Sequence, residues 1–450
     1  MDGFVSEALK IVFAYYLNLA WRRCRQGWPM VLLLTLTMAI GIASCMTALT
    51  IFNALSGEPL PGISPHLQVV TMDAREAGDK DQSSYDVPQS WLGLADATAL
   101  VDAGRARQQV ALAQAYVLLG NPDGKQSEQT LGLLAHGPVV PMFGVPMRYG
   151  RPWTASEQAG HAPVVVIDTG LARKLFGTEN AVGRSVAMGN GSFRVVGISE
   201  PWKPRTQFLD VKRNQGNVLG QPEQFFVPAQ AALAAGVGPL TAGACGKDEA
   251  VVSFQSAEVS QCRWLEVWAA VDGPAELENH RRFVAGYADA QHDSGRFMHP
   301  PQAALYGVRE WMVANRVVPD DVALNLGLAG AFLLLCLVNV AGLLAARFLR
   351  RQADVAIRRA LGASRRHVFA QHLVETGLLG LAGGVLALPL TWLGLWVVRK
   401  QPVAYADAAH FSVGAFAMLL LLSLLVGLLV GVLPAWRVCR QPLAMQIKLA

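Results

Sequence analysis

Four stretches of this chain contain no Asp, Glu, Lys or Arg: residues 30–52, 322–346, 376–398 and 411–436. Each is 23 to 26 residues long, and a helix needs roughly 20 apolar residues to cross the hydrocarbon core of a bilayer. The expected fold class is a membrane protein with four transmembrane α-helices. Between the first and second runs lie 269 residues, 53–321, enough for a globular domain with its own core. Only 16% of the chain is charged, against about 25% in an ordinary soluble protein.

Charge sets the orientation. Residues 53–321 carry 22 Lys/Arg and 28 Asp/Glu, a net of −6, and the remainder carries 16 and 5, a net of +11. Seven of those 16 are arginines between 347 and 372, a stretch without lysine: Arg347, Arg350, Arg351, Arg358, Arg359, Arg365 and Arg366. Only Arg399 and Lys400 fall on the side of the large domain. Basic residues in short loops stay in the cytoplasm, and long domains translocate whatever their charge. Both termini and the arginine loop are thus expected inside and the large domain outside. The basic balance reports topology and not a nucleic-acid footprint.

Ile42-Ala-Ser-Cys45 matches a lipoprotein cleavage box. However, 29 residues precede the first run, which continues well past Cys45, whereas signal h-regions stop after about 7–15 residues. The run reads as a span. Of six cysteines, only Cys245 and Cys262 fall in the large domain. An even pair in an oxidising compartment suggests a disulfide; the alternative is two separate free thiols. No Cys/His spacing resembles a zinc site.

Leu9, Val12, Phe13, Tyr16, Leu17 and Ala20 form a helical stripe within residues 1–29, as expected for an amphipathic helix on the inner membrane surface. The large domain reads as mixed α and β. Residues 109–118, 164–167, 193–199 and 251–254 are strand-like. Residues 263–271 alternate, which puts Trp264, Glu266, Trp268 and Ala270 on one face. Residues 95–103, 169–176 and 275–292 read as helices. His280, His292 and His299 lie in polar sequence and are expected to be solvated. Gly183 and Gly197 read as turn residues.

Chemistry is sparse. Gly120-Asn-Pro-Asp-Gly124-Lys125 has the wrong spacing for a Walker A loop and lacks Ser or Thr after the lysine. Any ATP chemistry is expected on another polypeptide. The runs lack the ionisable groups that transport pathways usually expose. They are rich in small residues instead, Gly327, Gly330, Gly342, Gly380, Gly383, Gly384, Gly427 and Gly431, which favours close helix packing within the chain or across a dimer. In the arginine loop, Ile357, Ala360 and Leu361 share a helical face that Arg358 and Arg359 flank. Gly362 suits the end of that helix and Ser364 the N-cap of the next. Such a helix fits a groove on a soluble partner. The alternative is that the arginines enforce topology and bind lipid phosphates.

Asp354-Val-Ala-Ile-Arg-Arg-Ala-Leu-Gly-Ala-Ser364 resembles the cytoplasmic loop of MacB/FtsX-type ABC transporter permeases, E-I-G-x-R-R-A-x-G-A, with Asp354 in place of Glu. Phe143-Gly-Val-Pro, Gly150-Arg-Pro-Trp, Pro163-Val-Val-Val-Ile-Asp, Leu171-Ala-Arg-Lys-Leu-Phe-Gly, Val182-Gly-Arg-Ser and Phe193-Arg-Val-Val-Gly-Ile198 follow in order and are similar to the periplasmic core domain of the same permeases. Leu433-Pro-Ala-Trp-Arg437 and Arg440-Gln-Pro-Leu-Ala444 resemble the family's ending, with Leu433 in place of Tyr.

The resemblance implies a permease subunit without its own ATPase site or bound cofactor, which works with ATP through a cytoplasmic ABC ATPase. Residues Ile357, Arg358, Arg359, Ala360, Leu361 and Gly362 would form the ATPase-coupling helix. A second permease copy or paralogue, membrane lipids, a periplasmic adaptor and an outer-membrane channel are the further partners implied. The implied role is mechanotransmission for export of a peptide, antibiotic or similar substrate from the bacterial inner membrane. The alternatives are an FtsX-like regulator of a periplasmic hydrolase and a lipoprotein-release permease. The expected organisation is a cytoplasmic helix (1–29), a span (30–52), the external domain (53–321) with an inserted subdomain near 200–270, a span (322–346), the coupling loop (347–372), a span (373–398), a short external loop (399–410), a span (411–436) and a tail (437–450). Residues 306–321 would be the stalk entering the second span.

Overall fold

The first helix, α1 (Trp28–Ser56), carries Pro29 in its opening turn, where a missing N–H removes no intrahelical bond. It continues four residues beyond the apolar run. Thr35, Thr37, Thr47 and Thr50 each donate to the carbonyl four residues earlier at 2.7 to 2.9 Å, so these hydroxyls bring no unsatisfied donor into an apolar helix. The computed structural model describes residues 28–75, 90–211, 221–240, 262–299, 302–349, 357, 364–401 and 413–440. It divides into two units, Ser56–Val318 and the combination of Met1–Leu55 with Pro319–Ala450.

The Ser56–Val318 unit is built on one 11-stranded sheet. Its strands are β1 (Leu67–Thr71), β2 (Trp91–Gly93), β3 (Gln108–Gly120), β4 (Ser127–His136), β5 (Met147–Gly150), β6 (Val164–Asp168), β7 (Ser185–Met188), β8 (Gly191–Ser199), β9 (Phe225–Pro228), β10 (Arg263–Ala270) and β11 (Ala304–Gly307). The order is β11-β1-β10-β3-β4-β9-β6-β8-β5, with β2 on β10 and β7 bridging β3 and β8. The β3–β4 hairpin is in register from Ala111↔His136 to Gly120↔Ser127. The pairs β4–β9 and β6–β8 are parallel; the other pairs are antiparallel.

Helices α2 (Leu94–Asp102), α3 (Thr169–Phe176) and α4 (Pro274–Asp293) cover one face of this sheet. The other face carries α5 (Val308–Ala314) and the segment 200–211, with Trp202, Phe208, Trp268 and Trp311 in its core. Helix α3 shows how local chemistry sets an element. The Asp168 carboxylate accepts from the Leu171 N–H at 2.5 Å and caps the start. Gly177 ends it at φ 69°, a left-handed conformation that glycine takes without a Cβ penalty. This explains why a strand, an Asp and a Leu-Phe-Gly ending come in that order.

Four expectations are corrected. Trp264 does not share a face with Trp268: the register of β10 shifts between Arg263 and Leu265. That irregularity sends Trp264 into the opposite core. His280 is fully buried in α4 beside Phe283, and burial holds its pKa below the usual value. Gly197 lies within β8 opposite Gly150 and not in a turn; a Cβ there would sit 2.4 Å from the Arg151 carbonyl oxygen. Most of the expected stalk is folded into the domain, since Val308, Trp311 and Met312 of α5 are core residues. The described parts of 200–270 supply β9 and β10 to the common sheet. Residues 251–254 and the amphipathic stripe of residues 9–20 lie outside the described residues.

In the other unit, α6 (Asp320–Leu349), α7 (Arg365–Arg399) and α8 (Val413–Arg440) join α1. Among the described residues, Trp28–Ser56, Asp320–Arg347 and His367–Arg399 are long and apolar enough to cross a bilayer. Helix α8 has 28 residues, with a described apolar stretch over Ala417–Val432. Helices α7 and α8 meet backbone to backbone. A Cβ on Gly380 would lie 2.8 Å from the Gly427 Cα, and a Cβ on Gly427 would lie 2.7 Å from the Gly380 Cα. One turn to either side, Gly384 faces Ser423 and Gly431 faces Thr376 with the same tightness. Small residues replace the hydrophobic effect here, because lipid offers apolar side chains no reason to leave it.

Candidate functional site

The arginine-rich segment joins α6 to α7. Within it Ile357 is helical and 60% exposed. Arg358, Arg359, Ala360, Leu361 and Gly362 lie outside the described residues. The two ends of the segment are well defined. On the far side, Ser364 is the N-cap of α7: its hydroxyl accepts from the His367 N–H at 3.3 Å and lies 2.7 Å from His367 Nδ1. This is the cap expected from the sequence.

On the near side, Arg347 sits in the last turn of α6 and is 5% exposed. Its Nη2 lies 2.9 Å from Oε1 of Glu375, which is 2% exposed and ten residues inside α7. His372 Nδ1 stands 4.0 Å from the other carboxylate oxygen. The neighbours Gln371 and Thr376 are also buried, and Thr376 packs on Gly431 of α8. The ion pair thus ties the helix entering the loop to the helix leaving it, one residue before Thr376, which packs on α8.

Apolar-run reasoning missed this pair. Glu375 falls one residue before the third run and so counts as outside it, yet the helix extends ten residues further back. The available signal was a glutamate flanked by apolar residues on a helix that also carries a cap at Ser364. An ionisable group at that depth is costly unless paired. Removing one partner of a buried pair typically costs about 3–5 kcal/mol, because the other charge is left unpaired. The arrangement holds geometry and performs no bond chemistry.

The Ser56–Val318 unit contains its own buried acids. Glu266 on β10 accepts from the Ser90 hydroxyl at 3.1 Å and from the Asp210 N–H at 3.0 Å. Burial first, then the neighbouring Asp210 charge, pushes its pKa up to about 7. Glu223 accepts from Gln114 Nε2 at 2.8 Å, and burial pushes it up to about 7 as well. These contacts tie Asp210 to β10 and Glu223 to β3. Cys262 is buried and disulfide-bonded; Cys245 lies outside the described residues. Among the described residues no group of three or more His, Cys, Asp or Glu could hold a metal.

Comparison with known proteins places these features in a family. Residues 31–261 match the MacB-like periplasmic core domain, and residues 326–443 match the FtsX-like permease C-terminal domain. The chain is 26% identical over 301 residues to the pyoverdine export ATP-binding/permease protein PvdT of Pseudomonas entomophila, covering 66% of this chain and 40% of that protein. It is 22% identical over 289 residues to the macrolide export ATP-binding/permease protein MacB of Bdellovibrio bacteriovorus, covering 64% of this chain and 39% of that one. The chain therefore spans about two fifths of the length of these relatives. The periplasmic region of MacB from Actinobacillus actinomycetemcomitans is similar at 14% identity and a TM-score of 0.35, over 56% of this chain and 94% of that one. With one family domain covering more than half of its length and a second following it, the chain belongs to the MacB/FtsX family of ABC transporter permeases.

Proposed function

We propose that this chain is the permease subunit of a MacB-type exporter in a bacterial inner membrane, driven by a separate cytoplasmic ABC ATPase. ATP binding would move the loop between α6 and α7, and the first and second spans would carry that movement to the external domain. The observation that carries this reading is the buried Arg347–Glu375 pair. It joins both feet of the loop, so a push on the loop reaches two helices together. The relatives' names combine ATP-binding with permease, and this sequence contains no Walker A loop.

The proposed topology has four spans, with α8 the fourth, both termini inside, and the boundaries set out from the sequence. A second permease copy completes the transporter, and a periplasmic adaptor and outer-membrane channel carry the substrate onward. The substrate class is a peptide, antibiotic or similar molecule; the relatives are named for pyoverdine and macrolide export. Cys262 pairs with Cys245, the other cysteine of the large domain; non-reducing mass spectrometry should find the two linked.

The test is reconstitution. The purified chain in nanodiscs should show no ATPase activity, and activity should appear when the partner ATPase is added. Arg358→Glu with Arg359→Glu should weaken ATPase pull-down by several kcal/mol, about the scale of reversed charges at a desolvated interface. Insertion should be normal, because five other arginines hold the loop inside. Robust turnover by the isolated chain, or undiminished pull-down by the charge-reversed loop, would overturn the assignment.

A further inference from the structure

Helix α6 carries an outward face unlike those of its neighbours. Asn325, Leu328, Phe332, Leu335, Asn339 and Gly342 recur at alternating spacings of three and four, and all six are exposed. Such spacing holds them on one side of the helix. Asn325 and Asn339 lie two heptads apart and so occupy the same position of the repeat. None of the described Ser or Thr side chains in the four apolar runs is exposed, and the exposed large side chains of α7 and α8 are Leu, Val, Trp and Met. The two asparagines are thus polar groups turned outward from apolar helices.

Neither asparagine side chain makes a hydrogen bond among the described residues. Residue 334 is the middle of the run 322–346, and Asn339 lies five residues beyond it, about 7–8 Å along the axis. The hydrocarbon core reaches about 15 Å to either side of its midplane, so a centred run puts this amide among acyl chains. It carries two N–H donors and a carbonyl acceptor, and lipid partners neither. Polar side chains at such depth almost always turn inward to a partner. One turn further on, a Cβ on Gly342 would meet nothing within 4 Å, so its smallness serves no contact among the described residues.

We propose that this face of α6 is where two copies of this chain meet, with the two α6 helices side by side and each asparagine hydrogen-bonded to its counterpart. A two-fold axis between parallel helices sets every residue of one repeat position against itself. A primary amide both donates and accepts, so it can satisfy itself across that axis, which two carboxylates or two ammonium groups could not. Two such pairs at one repeat position also fix the register, the use that a buried asparagine has in coiled coils. Gly342 lets the backbones approach where the pair is deepest. The inference rests on the second permease copy of the function proposed above, and says which face holds it and that the copy is identical.

The test uses the full chain alone, purified into liposomes of phosphatidylethanolamine and phosphatidylglycerol. A photo-cross-linker replaces Leu335 on this face or, as a control, Leu334, which is 62% exposed against 57% for Leu335 but points about 100° away around the helix. Covalent dimers are expected from Leu335 and lipid adducts from Leu334. Equal dimer yields at the two positions, or lipid adducts alone at Leu335, would overturn the proposal. Energy transfer between labelled copies, followed as protein is diluted in lipid, reads the association midpoint. Asn339→Leu should move it about tenfold towards higher protein density, equivalent to about 1.4 kcal/mol and in the range of an interhelical hydrogen bond in lipid. Asn339→Gln, which keeps an amide, should shift it less. An unmoved midpoint in Asn339→Leu, or an equal shift in Asn339→Gln, would also overturn it. Should Asn339→Leu fail to fold, Gly342→Leu decides: its added bulk meets nothing in the single chain, so association should weaken while the monomer stays intact, and a wild-type midpoint would count against the contact. A chain that activates the partner ATPase without Leu335 dimers would remove this inference alone; Leu335 dimers without ATPase activation would remove the exporter reading alone.

Discussion

The two units of this protein solve the problem of burial in opposite ways. The Ser56–Val318 unit buries large side chains on both faces of one sheet, among them Trp264, Trp268, Trp311 and six phenylalanines that are under 2% exposed. It also buries carboxyls that hold protons, Glu223 and Glu266. The membrane unit does the reverse. Its closest contacts involve glycine, serine and threonine, and its deepest described charges come as an ion pair. In water, burying apolar area drives folding; in lipid, close backbone approach and satisfied polar groups must do so. The same substitution therefore has different consequences in the two units.

Adding bulk where helices touch should have the largest effect. Gly380→Leu would drive a side chain into the Gly427 backbone, which already lies 2.8 Å from a bare Cβ. Backbone cannot move aside as a side chain can, so α7 and α8 would separate. A loss of more than about 4 kcal/mol is expected, at the exceptional end for single substitutions. Fluorescence-detected size exclusion of the full chain should show collapse of the monodisperse peak. A stable Gly380→Leu protein would mean that the seam is not what holds these helices.

The next largest effect probes the charges. Arg347→Gln should destabilise by about 3–5 kcal/mol, because the buried Glu375 loses the guanidinium that balances its charge. Arg347→Met with Glu375→Leu should recover most of that, since well-packed apolar replacements of both partners are often neutral. Thermal unfolding of the two variants in nanodiscs decides between a pair kept for stability and one kept for coupling. If the double variant is as stable as wild type but no longer transmits the partner ATPase's cycle to the external domain, the pair is a positioning device. If it is as unstable as the single variant, the comparison between the two units fails at this point.

These two sites also mark how far the sequence could be read. The strand and helix at residues 164–168 and 169–176 were legible because every local signal agreed: a β-branched run, an Asp cap, an amphipathic turn and a closing glycine. Trp264 was misplaced because alternation assumes an unbroken register, and the irregularity beside it depends on pairing with β2. His280 was misread because its neighbours in sequence are polar while its neighbours in space include Phe283. The Gly380–Gly427 seam was foreseen as a tendency of small residues, but not which glycines would meet. The Arg347–Glu375 pair joins residues 28 apart on different helices, and no local pattern encodes that.

The third effect belongs to the external unit and depends on pH. Burial pushes the Glu266 pKa up to about 7 in the folded chain, against an ordinary glutamate value of 4.5. Between those values the unfolded chain releases a proton that the folded chain keeps. Stability therefore falls as pH rises from about 4.5 towards 7, and levels off above the folded value. Glu266→Gln should flatten that slope and gain up to about 3 kcal/mol at pH 8, with little change at pH 4. Hydrogen exchange across β10 in the full chain, at both pH values, reads it. An unchanged slope would show that Glu266 is ionised in the fold and that the buried acids of this unit resemble the paired charges of the other.

The smallest effect tests whether the membrane unit relies on local signals at all. Ser364 caps α7 through its hydroxyl, which accepts from the His367 N–H at 3.3 Å. The first-turn N–H groups of a helix have no intrahelical acceptor, and loss of a serine cap typically costs about 1 kcal/mol. The 3.3 Å contact is long, so Ser364→Ala should cost no more than that, and Ser364→Asp should cost less because a carboxylate also suits the positive end of the helix dipole. A global unfolding measurement would barely resolve either variant. Hydrogen exchange at the start of α7 would, since fraying there is local and the Arg347–Glu375 pair still holds the helix ten residues further on. The expected result is faster exchange over the first turn in Ser364→Ala, near-normal exchange in Ser364→Asp, and no change beyond Glu375 in either. Faster exchange that spreads past Glu375 would mean that the cap and the ion pair act as one unit, and that the loop's far foot is set by sequence-local chemistry and not by the packing of its neighbours.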